Sequence, residues 1–136
     1  LYLFHGASAG AWDLVKDGTS AAVILVADDA DELVMTAARE FQYHVKRASG
    51  AELRIVAEGA LDGTPAHAVL IGRSKATDGL GVDVAGLPRE GFTIRATADR
   101  LVIVGKDKPI VQYKGDGKTV RRVIFAGGKL VNVVAT

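Results

Sequence analysis

The chain has no cysteine, one methionine, one tryptophan and three prolines in 136 residues. Without a thiol there is no disulfide, no Cys-ligated zinc and no iron–sulfur cluster, so the fold must be held by its core. The same absence suits reducing and oxidising surroundings alike and points to no compartment. An excess of charge of one sign is also missing. Lys and Arg number 17 against 16 Asp and Glu, a formal net charge of +1, which removes any whole-domain attraction for nucleic acid or an acidic membrane. No apolar run is long enough to span a bilayer, and no repeat, low-complexity tract or linker divides the chain. A first residue of Leu1 instead of Met leads us to expect a processed or partial chain. What remains, 49% hydrophobic and 24% charged residues, is the balance of a single globular domain, 1–136. A chain of this size buries roughly two-thirds of the surface its unfolded form exposes.

Periodicity supplies the elements. Ala30, Leu33, Val34, Ala37, Ala38, Phe41, Val45 and Ala48 recur at steps of three and four, which predicts an amphipathic helix over residues 30–48. Asp29 stands where an N-cap belongs, with Glu32 three residues on to complete a capping box, and Gly50 marks the end. Short β-branched runs flank the helix at 22–27 and 53–56, the spacing of a β-α-β unit. A further run at 67–71 leads into a glycine-studded connection through Gly72, Gly79, Gly81 and Gly86, read as loop. Runs at 92–96 and 101–104 flank the polar turn Thr97-Ala98-Asp99 and read as a hairpin; 120–126 and 129–134 around Gly127-Gly128 read as another. One long helix with short helical turns and many strands predicts an α+β domain. Its mixed sheet would be covered by that helix on one face, since one helix cannot cover both.

Chemical motifs are present only as fragments. Gly6-Ala7-Ser8-Ala9-Gly10 and the near-match Gly72-Arg73-Ser74-Lys75-Ala76 resemble the turn that presents a hydrolase serine. Such a serine needs an acid and then a histidine later in the chain; only His44, inside the helix pattern, and His67, at the edge of a strand, follow Ser8, and no histidine follows Ser74. Gly117-Lys118-Thr119 resembles the end of a phosphate-binding loop, but Gln112 holds the place of its first glycine and a strand pattern follows. His5, His44 and His67 lack the spacing that aims two imidazoles at one metal. Asp28, Asp29, Asp31 and Glu32 are sufficiently explained by a helix start. Lys106, Lys108, Lys114, Lys118, Arg121, Arg122 and Lys129 make the C-terminal part locally basic, with only Tyr113 and Phe125 interleaved, a pattern equally suited to guarding strand edges. Trp12, Phe92 and Tyr43 are aromatics able to stack on a sugar, with the core the expected place for Phe92, and Trp12 or Tyr113 would serve a glycan-binding module.

Two stretches carry a family resemblance: Ala37-Ala38-Arg39-Glu40-Phe41-Gln42-Tyr43-His44-Val45 closing with Ser49-Gly50-Ala51-Glu52-Leu53, and Leu70-Ile71-Gly72-Arg73-Ser74 leading to Glu90-Gly91-Phe92-Thr93-Ile94-Arg95. Residues 23–105 resemble the N-terminal accessory domain of α-glucuronidases and the similar non-catalytic domain of β-N-acetylhexosaminidases. The resemblance implies a mixed sheet with helices on one side, preceding a catalytic (β/α)8 barrel in the same parent chain. The barrel supplies the reacting carboxylates and the domain supports it, so no catalytic, cofactor or metal residue carries over. It also favours a secreted or periplasmic setting, with glycan as a possible ligand and neither nucleic acid nor membrane as partner. Residues 106–136 depart from the family pattern, and Arg54 stands where a proline is common. The expectation is therefore a non-catalytic scaffold domain. The alternatives are an independent glycan-binding module and, further off, a small serine hydrolase.

Overall fold

The computed structural model describes residues 12–89 and 91–106, together with the backbone of 120–126 and 129–135. In chain order the elements are β1 (Val15–Lys16), β2 (Thr19–Ser20), β3 (Val23–Val26), α1 (Glu32–Ser49), β4 (Ile55–Ala57), a 3-10 turn (Glu58–Ala60), β5 (Ala68–Ile71), α2 (Lys75–Gly79), β6 (Phe92–Ala96), β7 (Arg100–Gly105), β8 (Val120–Ala126) and β9 (Lys129–Ala135). Five strands form one sheet in the order β4-β3-β5-β7-β6. The first four run parallel, and β6 lies antiparallel to β7. The α+β class and the mixed sheet are as the sequence implies. β8 and β9 pair antiparallel as the last hairpin; the Gly127-Gly128 turn between them lies outside the described residues.

Side chains alternate across a strand, so the central strands feed two cores. On one face Ile24, Val26, Val69 and Ile71 pack with Ala38 and Leu53 beneath Val34, Met35, Phe41 and Val45 of α1. On the other, Leu25, Leu70, Val102 and Val104 are buried with Val84 under Ala76, Leu80, Val82 and Leu87. The expectation of a sheet covered on one face is thus corrected. The long helix takes one side, and the glycine-studded connection with α2 folds back over the other, because β5 and β7 are apolar on both sides.

The helix start is also corrected. Ala30 N–H donates to the Ala27 carbonyl at 3.1 Å, a turn that takes up Asp28 and Asp29 before the helix begins. The cap is Asp31, whose backbone is extended and whose Oδ1 accepts from Leu33 N at 3.1 Å and Val34 N at 3.0 Å. With Val34 at the third helical position, no capping box forms. At the far end Gly50, at φ 78°, donates to Lys46 O, and Lys46 pairs with Glu52. Asp31→Ala is therefore expected to cost ~0.5–2 kcal/mol. Asp29→Ala, at an exposed turn position, should stay within about 0.5 kcal/mol. Urea titrations of the two variants check the assignment.

Candidate functional site: the two ends of the sheet

In an open parallel sheet ligands enter at the carboxyl ends of the strands, at the point where neighbouring strands connect in opposite directions. Here that point lies between β3 and β5, since β3 is flanked by β4 on one side and β5 on the other. The chain brings Asp28 there after β3, Glu58 after β4, and Gly72-Arg73-Ser74 after β5. Each acceptor is already engaged. Asp28 Oδ1 accepts from Gly59 N at 2.7 Å. Glu58 straddles the first turn of α2, its two oxygens accepting from Lys75 N at 3.2 Å and Ala76 N at 3.1 Å. Asp31 fills the start of α1.

Ser74, the serine of the second hydrolase-like motif, follows a strand and opens a helix as such a motif requires. Its chemistry is nevertheless that of a cap. Its backbone is extended at φ −156° and ψ 169°, and its Oγ accepts from Thr77 N at 3.1 Å. The left-handed residue is Gly72, two positions earlier, at φ 81°, whereas a nucleophile elbow places the unusual backbone on the serine. Fully buried Thr77 completes the knot, donating its hydroxyl to Gly72 O at 3.0 Å and lying 3.2 Å from Ser74 Oγ. Among the described residues no histidine stands beside it: His67 precedes β5 and Ser74 follows it, so the strand's length separates them, and His44 rides on α1. Ser8, His5 and the Gly117-Lys118-Thr119 segment lie outside the described residues, as do Lys108, Lys114 and Tyr113. Among the described residues no buried side-chain N or O lacks a partner, and no three His, Asp or Glu side chains are grouped to share a metal ion.

The amino end of the sheet holds a shallow hollow of about 210 Å³ lined by Ser20, Ala22, Arg54, Pro65 and His67. Trp12 lies against His67. Its ring stacks on His67 with centroids 4.9 Å apart and planes 2° from parallel, and its Nε1 donates to Thr97 O at 3.2 Å. The expected sugar platform is thus corrected: one indole face is taken by imidazole, the N–H is satisfied, and the ring packs against the α1-side core. Tyr43 is the exposed aromatic on α1, at 47%. Arg47 lies 5.9 Å from its ring centre and donates to its hydroxyl at 3.2 Å, a bond that pushes the guanidinium further above its ordinary value. Phe92, expected in the core, is 37% exposed. It sits on the α1 face of the outermost strand, and α1 packs chiefly on β3, β4 and β5. The cap of α2 by Glu58 escapes sequence reading because the partners are 17 and 18 residues apart and a five-residue helix has no apolar period.

No protein-family model matches the chain, and no solved structure matches it. A stretch of 56 residues, 40% of the chain, is 43% identical to part of a leucine–tRNA ligase from Alcanivorax borkumensis. The chain spans only 7% of the length of that protein, so the likeness is one of a segment. Among the described residues no helix is long and apolar enough to cross a membrane.

Proposed function

We propose that the chain is a non-catalytic accessory domain of a carbohydrate-active glycoside hydrolase, a scaffold that packs against a catalytic (β/α)8 barrel in a secreted or periplasmic parent protein. The family resemblance of residues 23–105 motivates the reading. The observation that supports it is the filled carboxyl end of the sheet. Asp28, Asp31, Glu58 and Ser74 all accept from the chain's own backbone amides, so that among the described residues at this end each has a structural task, whereas glycoside or ester hydrolysis requires an acid–base pair or nucleophile aimed at a cleft. Residues of this kind serve folding and contact.

The purified chain is expected to turn over neither aryl glycosides nor aryl esters. Mixed with a separately produced α-glucuronidase-type barrel, it should form a one-to-one complex and raise the barrel's melting temperature. Turnover abolished by Ser74→Ala would overturn the non-enzymatic reading, and a barrel unaffected by the chain would overturn the scaffold reading. A glycan-binding module is the second reading, favoured by the exposed Tyr43. Calorimetric heat with xylo-oligosaccharides or chitin oligomers that disappears in Tyr43→Ala would put it ahead.

A further inference from the structure

We propose that β6 is a self-pairing edge through which two copies of this chain join their sheets, antiparallel and centred on Ile94. Among the described residues β6 pairs only with β7, and it is the longer of the two sheet edges, with five residues against three in β4. Edge strands are ordinarily guarded by charge, proline or a bulge. β6 carries one charge, Arg95, and its guanidinium reaches Leu80 O at 3.4 Å on the face away from α1. On the α1 face Phe92 and Ile94 are each 37% exposed, and Ala96 is exposed beside them. They continue outward the partly buried row of Leu101 and Ile103.

The hydrogen-bond phase of the hairpin fixes which backbone groups are free. Lys106 N donates to Gly91 O at 2.9 Å and Thr97 N to Arg100 O at 2.8 Å. Pairs alternate along an antiparallel ladder, so Thr93 and Arg95 also bond toward β7, opposite Val104 and Val102. Phe92, Ile94 and Ala96 consequently turn their N–H and C=O groups to the open side. A two-fold axis through Ile94 sets the open main-chain groups of these residues against each other. Ile94 meets Ile94 of the second copy, Phe92 meets its Ala96, and up to about six main-chain hydrogen bonds can form. The side chains suit that register. A large ring lies opposite a methyl, and Arg95 lies opposite Thr93 instead of another cation, so like charges do not face each other across the junction. The contact is isologous and closes on itself, as a two-fold dimer must. The apolar strips of both copies then form one band.

Light scattering and sedimentation equilibrium of the whole chain test this independently of the accessory-domain reading. The expected mass is twice the 14.2 kDa of one chain, and Ile94→Lys is expected to halve it with an unchanged circular dichroism spectrum. A second variant needs no judgement about folding. Ile94→Cys introduces the chain's sole thiol, and hydrogen-bonded antiparallel partners stand at about 5.5 Å between Cα atoms, within disulfide range. Mild oxidation should therefore yield a dimer that reductant splits. Monomer at every concentration, with no cross-link at position 94, overturns the proposal and leaves the edge to another segment or a partner domain. A dimer that survives Ile94→Lys overturns it equally.

Discussion

Replacing Ile24 by alanine is expected to destabilise the protein by ~2–5 kcal/mol, a large share of the roughly 5–15 kcal/mol that holds a domain of this kind together. Ile24 is 0% exposed and lies on β3, between Ile55 of β4 and Val69 of β5, in the core beneath α1. Each wall around it is an element held by its own ladder or helix bonds, so the space left by the lost carbons cannot readily collapse, and the cavity adds to the lost transfer energy. A urea titration should show a lower midpoint with an unchanged slope. Ile94→Ala, the same change at a site 37% exposed, should cost well under half as much in monomer stability.

Gly72→Ala is expected to cost ~1–3 kcal/mol, from a left-handed backbone that only glycine adopts freely. Gly72 sits at φ +81°, and a Cβ there would stand 3.0 Å from both methyl groups of Val34. Two separable effects are combined. Val34→Ala in the same background should recover the crowding and leave the conformational strain, so the double variant should be less destabilised than the sum of the singles by ~0.5 kcal/mol or more. Strict additivity in thermal or urea unfolding would show that α1 does not rest on this glycine. The position is sensitive for a further reason: Gly72 N donates to Ile103 O at 2.9 Å, and its carbonyl receives the Thr77 hydroxyl. The first helix, the last parallel strand and the Ser74 cap all meet at one residue.

How much of this was legible in the sequence depended on whether the determining interaction was local. The α1 stripe and Gly50 were readable because a 3.6-residue period and a left-handed stop are written in adjacent residues. The same holds for the hairpin around Thr97-Ala98-Asp99, which the structure closes with Thr97 N on Arg100 O. The helix start slipped from Asp29 to Asp31 because several acids in a row were all plausible caps, and the choice turned on the Ala27–Ala30 turn and on Asp28 being drawn to Gly59. That contact joins residues 31 apart in sequence, which no window can see. Phe92 was misplaced for a related reason. Alternation says which side of the sheet a residue faces but not how far the helix on that side extends. At the candidate site the serine motifs were lexical, and only geometry assigned Ser74 to capping. The second face of the sheet is covered by a connection whose glycines interrupt any regular spacing of Leu80, Val82, Val84 and Leu87.

The order in which strands join the sheet also governs how the polypeptide emerges during synthesis. β3 is made first among the strands of the five-stranded sheet, yet one of its flanks waits for residues 55–57 and the other for 68–71. Until both have left the ribosome, its Val-Ile-Leu-Val stretch is bare to the cytosol or to a translocation channel. Nascent chains in such a state are the ones on which holding chaperones act and from which aggregates start. The hairpin of β6 and β7, by contrast, can zip locally as soon as it appears, and β7 then docks on β5 and completes the parallel core.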